Sequence, residues 1–160
     1  MTQTIALQLD HLTRLDLSPV SQLIDPILTQ RAIADYEQTL SFEIHYPRDP
    51  TDPRELSEIA EVRLWFVRLD SVYPWIPFIL DPKTGELARY VAMLVPHQFS
   101  RSEGIQYNPE ALEIFVMHKL FILSDWLQQQ TIPSTFRLKS FAQLFGYDID
   151  DSFFELIVNS

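Results

Sequence analysis

The stretch that decides the fold is NPEALEIFVMHKLFILSDWLQQQ, residues 108–130. It opens with Asn108, a favourable helix N-cap, followed by Pro109, which suits the first helical position. Apolar residues then recur at helical spacing along one side, and others occupy most of the remaining surface. The first group is Leu112, Val116, Leu120, Leu123 and Leu127, and the second is Ile114, Phe115, Phe121, Ile122 and Trp126. We therefore predict a central helix that packs on more than one side.

Shorter helices are predicted before and after this one. Ser18 followed by Pro19 is a typical helix start, and Pro26 is expected to kink the helix that follows. Towards the end of the chain, apolar residues keep helical spacing in Arg137–Phe145 and Asp150–Val158. The long helix is thus expected to be followed by further C-terminal helices.

Five segments are predicted to be strands. Thr4–Asp10 and Leu40–Tyr46 alternate apolar and polar residues, which is the period of a strand with one buried face. Glu61–Leu69 alternates in a similar way, and Trp75–Leu80 and Leu87–Val95 flank the turn-rich residues 81–86. We therefore expect an α+β fold in which an antiparallel sheet of about five strands packs against the long helix. A chain of 160 residues also fits a single domain, residues 1–160.

Composition excludes several classes of protein. With 22 acidic against 12 basic residues, the formal net charge is −10, which disfavours nucleic acid and anionic membranes as partners. The apolar runs are too short to cross a bilayer and no leader-like segment opens the chain, so we expect a soluble cytoplasmic protein without membrane insertion. Cysteine is absent and the three glycines lie far apart, so neither thiolate chemistry nor a nucleotide-binding loop is expected. We predict no catalytic residues, no metal and no cofactor.

The histidines leave one alternative open. All four are dispersed along the chain, without the spacing of a helical metal site. We interpret His118 as a buried, hydrogen-bonded histidine of the long helix, whereas His97 opens a polar loop, where binding residues tend to lie. The alternative is a small ligand-binding domain or a metal-independent enzyme with a pocket between sheet and helix. Its histidine would be His97 or His118, and its carboxylate Asp125 or Glu113.

Two long loops are predicted to leave the same sheet. The first, residues 47–60, is stiffened by prolines, and Asp52 is placed to cap a short helix near its end. The second runs from Pro96 to Tyr107. A stiff loop presents charged groups such as Arg48 and Arg54 to a partner at a reduced entropic cost.

Six segments carry a resemblance to a known family. They are Leu56–Ile59, Val62–Phe66, Tyr73–Trp75, Gly85–Tyr90, Leu94–Phe99 and Gly104–Ile114. Through them the chain resembles the chlororespiratory reduction six family, from about Phe42 to Phe154. Members of that family, in cyanobacteria and chloroplasts, are soluble factors needed to assemble the peripheral arm of the photosynthetic NAD(P)H dehydrogenase-like complex. They act on its ferredoxin-type iron–sulfur subunit.

The resemblance implies an assembly factor, or chaperone, whose partner is that iron–sulfur subunit. Because the sequence lacks a plastid-type N-terminal extension, a cyanobacterial cytoplasmic member is the expected form. Because it also lacks nucleotide-binding loops, we expect a non-enzymatic, ATP-independent protein that acts by binding and release alone. The hypothetical partner-binding set is drawn from the two loops: Arg48, Asp49, Asp52, Arg54, His97, Gln98, Arg101 and Tyr107.

Overall fold

The structure is a computed structural model, and it describes residues 2–81 and 86–158. The chain clusters into two compact units, Met1–Val91 and Ala92–Ser160. Helices and strands are mixed, so the predicted α+β class is confirmed. The predicted five-stranded antiparallel sheet is wrong, because the described residues contain two separate sheets of two strands each. The single domain stays a prediction.

The sheet of the first unit is a parallel pair. β1 (Gln3–Leu7) lies beside β2 (Leu40–Ile44), and Thr4 stands opposite Ser41. Both strands are predicted from the sequence, but the prediction that they are antiparallel is wrong. Parallel neighbours need a crossover connection, and the helices between β1 and β2 supply it, so that β2 starts at the same end of the sheet as β1. β1 also ends before the predicted Asp10, because Gln8 starts a short helix there and its backbone N–H donates to His11 Nδ1 at 3.0 Å.

Helices make up most of the first unit. They are α1 (Leu9–Thr13), α2 (Ser18–Thr29), α3 (Ala60–Val72), α4 (Ile76–Ile79) and α5 (Glu86–Ala92), with 3-10 turns at Ile33–Tyr36 and Leu56–Glu58. α2 starts at the predicted Ser18 and continues through Pro26. The helix cap predicted at Asp52 is wrong, because the turn that follows the loop is capped by Glu55 together with Glu58.

α3 occupies Glu61–Leu69, where we predict a strand, so that prediction is wrong. Its buried side chains are Val62, Trp65, Phe66 and Leu69, which follow the helical period. Leu64, which a strand would bury beside Val62 and Phe66, is 49% exposed instead. Because successive strand residues point to opposite faces, burying Trp65 and Phe66 together on one side requires a helix.

The predicted strands Trp75–Leu80 and Leu87–Val95 are also wrong, since these segments contain α4 and α5. The buried Asp81 lies just before α5, and its Oδ2 accepts a hydrogen bond from the backbone N–H of Leu87 at 3.0 Å. A carboxylate at this place stabilises a helix start. The turn predicted for residues 81–86 falls mostly on residues 82–85, which lie outside the described residues.

An aromatic cluster forms the core of the first unit. Trp65 and Phe66 pack edge to face with ring centroids 5.0 Å apart, and both contact Phe42 of β2. Phe66 also stacks on Tyr90 of α5 at 4.4 Å. The indole N–H of Trp65 donates to the backbone carbonyl of Asp16 at 2.8 Å. β2, α3 and α5 therefore pack against one another through this cluster, and the contact with Phe66 fixes the position of the Tyr90 ring.

The second unit contains a β-hairpin where we predict a loop from Pro96 to Tyr107. β3 (His97–Ser100) pairs antiparallel with β4 (Gly104–Tyr107). Gly104 ends the turn with a φ of +76°, a left-handed conformation that glycine adopts without steric penalty. The loop prediction is wrong because both strands are four residues long and show no alternation of buried and exposed residues.

Up to residue 158, where the described part of the chain ends, the second unit contains three helices, and all three are predicted from the sequence. They are α6 (Pro109–Gln129), α7 (Thr135–Leu144) and α8 (Asp151–Val158). Asn108 caps α6 as predicted, because its side-chain oxygen accepts a hydrogen bond from the backbone N–H of Ala111 at 3.1 Å.

α6 contacts both α7 and α8 and leaves part of its apolar surface exposed. Its buried apolar residues are Val116, Leu120, Leu123 and Leu127. Phe115 contacts Phe145, which follows α7, and Phe121 contacts Phe153 of α8, so the helix packs on more than one side as predicted. Ile114, at 70% exposed, and Phe121, at 52%, show that the apolar residues predicted to fill the rest of its surface are only partly covered. Apolar content alone does not reveal which face of such a helix stays uncovered.

Candidate functional site

The charged residues predicted in the first loop contact one another. Asp49 Oδ1 accepts hydrogen bonds from the backbone N–H and the hydroxyl of Thr51, at 2.8 and 2.6 Å. Asp52 accepts from Arg54 Nε at 3.1 Å and from Nη2 at 2.8 Å. The side chain of Arg54, and then its backbone N–H, lower the pKa of Asp52 to about 2. Arg48 Nη1 donates to the backbone carbonyl of Arg54, so the loop is braced by its own side chains.

Beside this loop lies a cleft of about 380 Å³, which we call the charged cleft. It is lined by Arg48, Glu55, Leu56, Ser57, Glu86, Arg89 and Tyr90. Arg89 Nη2 lies 3.8 Å from Glu55 Oε2, and both side chains are more than half exposed. Ion pairs this exposed contribute about 0–1 kcal/mol to stability. Both charged groups are therefore accessible to a partner.

Tyr90 is the buried aromatic residue of the charged cleft. Burial, followed by the negative charges of Glu86 and Glu55, raises the pKa of the Tyr90 hydroxyl to about 12. The phenol therefore stays protonated at neutral pH and is able to donate a hydrogen bond. A smaller cavity of about 40 Å³, also lined by Tyr90 and Glu86, reaches the buried Asp81 and has room for water.

Sequence reasoning missed the contribution of α5 to this cleft. Glu86, Arg89 and Tyr90 are spaced three and four positions apart, which places them on one face of a helix. Assigning Leu87–Val95 to a strand hides that spacing. With the helix recognised, an acidic, a basic and an aromatic side chain on one face would have indicated a surface site.

A second cleft, of about 390 Å³, lies along the β3–β4 hairpin, and we call it the hairpin cleft. It is lined by Pro96, His97, Gln98, Gln106, Tyr107, Asn108 and Pro109. His97 Nδ1 lies 2.8 Å from the carbonyl oxygen of Val95, so this nitrogen carries the proton and donates. The His97 ring contacts the ring of Tyr107 with centroids 5.7 Å apart. The backbone N–H of Asn108 donates to the Pro96 carbonyl at 2.7 Å and closes the base of the hairpin.

The predicted partner-binding residues are divided between the two clefts. In the first unit, Arg48 lines the charged cleft, whereas Asp49, Asp52 and Arg54 shape the adjoining loop. In the second unit, Arg101 is exposed in the turn between β3 and β4. Of the predicted set, His97, Gln98 and Tyr107 line the hairpin cleft. The expectation that both loops leave one sheet is wrong, because the first follows β2 and the second forms the β3–β4 sheet itself.

The histidine predicted in the core is at the surface. His118 and Asp125 are both exposed on α6, so the interpretation of His118 as a buried residue is wrong. Among the described residues, those lining the hairpin cleft beside His97 include no carboxylate. Within residues 2–81 and 86–158, no group of three or more His, Asp or Glu side chains is placed to hold a metal ion. The same residues include no helix long and apolar enough to span a bilayer.

Comparison with known proteins identifies the family. No solved structure matches the chain. The family model described as Chlororespiratory reduction 6 matches residues 7–156, which include every residue that lines the two clefts. The chain therefore belongs to the chlororespiratory reduction 6 family, which is linked to assembly of the photosynthetic NAD(P)H dehydrogenase-like complex.

Proposed function

We propose that this protein is a non-enzymatic, ATP-independent assembly factor that binds an iron–sulfur subunit of the photosynthetic NAD(P)H dehydrogenase-like complex while its peripheral arm matures. Family membership over residues 7–156 supports a role in assembly. The observation that carries the binding role is the charged cleft, where guanidinium and carboxylate groups stand side by side at the surface. Such a mixture suits a protein partner that presents charges of both signs.

The loop contacts prepare the charged cleft for binding. Asp52 holds Arg54 through two side-chain nitrogens, and the carbonyl of Arg54 holds Arg48. A guanidinium that is already oriented loses less conformational freedom when a partner docks. In this proposal Asp49, Asp52 and Arg54 position the loop, and Arg48 contacts the client.

The ion pair of Arg89 with Glu55 is replaced by ion pairs with the client when the client binds. At 3.8 Å and more than half exposed, it is weak in the free protein. A client carboxylate gains a bidentate partner when it replaces Glu55 at Arg89, and Glu55 is freed for a client amine or guanidinium. Binding of this kind is reversible, as an assembly factor that must release its client requires.

The absence of cysteine fits a cysteine-rich client. The sequence contains none, so it has no thiolate with which to remove iron or to form mixed disulfides with the ligands of an iron–sulfur cluster. The protein thus acts on its client through surface contacts alone. The hairpin cleft supplies the second set of contacts, through His97, Gln98 and Tyr107, with Arg101 beside them in the turn.

The test is a calorimetric titration of the purified iron–sulfur subunit with the purified protein, with and without ATP. Arg48→Glu places a negative charge in the charged cleft. Arg68→Glu makes the same charge change at an exposed residue of α3 that does not line the cleft, and is the matched control. We expect Arg48→Glu to weaken binding at least tenfold, about 1.4 kcal/mol, and Arg68→Glu and ATP to leave the affinity unchanged.

The outcomes separate the parts of the proposal. Equal affinities for Arg48→Glu and Arg68→Glu, with both variants folded by circular dichroism, would remove the charged cleft from the interface. An unchanged affinity for His97→Ala combined with Arg101→Glu would remove the hairpin cleft. Failure of the unaltered protein to bind the subunit would overturn the proposed function, and release on addition of ATP would overturn ATP independence.

A further inference from the structure

The exposed face of α6 continues onto α8 as an apolar surface. Ile114 is 70% exposed and Phe121 is 52% exposed, and they lie two turns apart on the same side of α6, about 10 Å along the axis. The Phe121 ring meets that of Phe153 on α8, with centroids 6.4 Å apart. Leu156, one turn beyond Phe153, is 72% exposed. These four residues, Ile114, Phe121, Phe153 and Leu156, are the apolar patch.

Exposed carboxylates lie on α6 and α8 close in sequence to the residues of the apolar patch. They are Glu113, Asp125 and Glu155, which are adjacent to the patch residues or one turn from them and are all exposed. The single lysine of α6, Lys119, is buried, and α6 contains no arginine, so the exposed charges of this helix are negative. Asp125 lies towards the C-terminal end of α6, where a negative charge opposes the helix dipole. Stability of the helix therefore does not account for this carboxylate.

We propose that the apolar patch is a docking surface for a basic amphipathic helix of a partner protein. Exposed apolar side chains one and two turns apart match the stripe of such a helix. The carboxylates then face the lysines and arginines that flank the partner's stripe. This surface shares no residue with the two clefts, so the inference stands whether or not the proposed function holds.

The charges decide among the possible occupants. A second copy of this chain would bring the carboxylates of one patch against those of the other, which opposes association. An anionic membrane would be repelled for the same reason. A helix that carries positive charge beside its apolar stripe is attracted by both features of the surface.

The probe is a fluorescein-labelled helical peptide of about 18 residues, or five turns, with leucines on one face and lysines on both flanks. The control peptide has glutamate in place of every lysine. Fluorescence anisotropy with the full chain should show the lysine peptide binding at least tenfold more tightly than the glutamate peptide. Its affinity should fall as salt is raised, because salt screens the flanking charges.

Variants locate the binding site. Ile114→Gln combined with Leu156→Gln removes exposed apolar side chains from the patch, and we expect at least tenfold weaker binding. Phe136→Gln, at an 80% exposed residue of α7, is the matched control and should bind normally. Glu113→Lys combined with Asp125→Lys should reverse the preference between the two peptides.

Four results would overturn the inference. The first is no binding of the lysine peptide, and the second is equal binding of both peptides. The third is self-association in sedimentation velocity that the Ile114→Gln/Leu156→Gln protein loses, which would assign the patch to a second copy. The fourth is binding to phosphatidylcholine or phosphatidylglycerol vesicles that the same variant loses, which would assign it to a membrane.

Discussion

Replacing Lys119 with methionine should stabilise the protein at neutral pH. Lys119 is 7% exposed, and its Nζ lies 6.0 Å from the centre of the Phe115 ring. Burial lowers the pKa of Lys119 from its ordinary 10.5 to about 8. That difference corresponds to about 3 kcal/mol by which the buried charge opposes folding. Methionine keeps a long unbranched side chain and removes the charge.

The expected gain in the free energy of unfolding at neutral pH is up to about 2 kcal/mol, because water penetration and relaxation around the ammonium reduce the full penalty and methionine gives up the ammonium's own contacts. Below pH 8 the lysine is charged in the folded and unfolded states alike, so the penalty is complete there. Between pH 8 and 10.5 the unfolded chain binds more protons than the folded protein. The unaltered protein is therefore stabilised as pH rises, and the advantage of Lys119→Met shrinks.

The assay is urea unfolding of both proteins at about pH 7 and about pH 10, since the difference between them cancels the other titrating groups. Lys139→Met is the control, because Lys139 is paired with Asp151 at 3.0 Å near the surface and its removal should cost about 0–1 kcal/mol. A Lys119→Met protein that is less stable at neutral pH, or whose advantage does not shrink with rising pH, would refute the reasoning.

Two contacts and one glycine give further expected outcomes. Tyr73→Phe removes the 2.7 Å hydrogen bond that the Tyr73 hydroxyl donates to Asp25 Oδ1, and urea unfolding should show a loss of about 1–2 kcal/mol. An unchanged urea midpoint would show that this hydrogen bond does not stabilise the fold. Because the pKa of Asp52 is about 2, its pair with Arg54 should persist in mild acid and open as the pH falls through that value, which an NMR titration of the Arg54 Nε–H detects. Opening well above that pH would show that the loop is not braced in this way. Gly104→Ala retains a φ of +76°, and no atom lies within 4 Å of the added Cβ, so thermal unfolding should report only the backbone penalty of about 1–2 kcal/mol.

Helix starts were predictable because a cap acts on its neighbours in the chain. Asn108 with Pro109 supplies the favoured residues at the favoured places, and α6 begins there. α2 begins at Ser18 with Pro19 in its first turn, but there the side chain that accepts a hydrogen bond from the Ser18 backbone N–H, at 2.9 Å, is that of Asp16. Nothing outside a few consecutive residues is needed to recognise them. Prediction from local sequence is wrong for α3, because the alternation of Val62, Leu64 and Phe66 fits a strand over a short window.

Strand pairing was less predictable, because it depends on residues far apart in the chain. The alternation within Leu40–Ile44 identifies β2 but contains no information about the direction of its neighbour. The charged cleft was hard to predict for the same reason. Arg48 and Glu55 belong to the first loop and Arg89 to α5, and only the packing of α5 through Tyr90 and Phe66 brings Arg89 beside the loop. Arg48 was found from its own loop, and Arg89 was not.

During synthesis of the chain, β1 is made well before β2, the strand with which it pairs. The hydroxyls of Thr4 and Ser41, 37 positions apart, lie within 3.2 Å of each other in the folded protein. β1 leaves the ribosome first and has no strand to pair with until β2 has emerged, an interval of a few seconds at about 5–20 residues per second. During that interval Ile5 and Leu7, both buried in the finished fold, face water. The nascent protein thus exposes an unpaired strand edge, open to mispairing, until β2 has emerged.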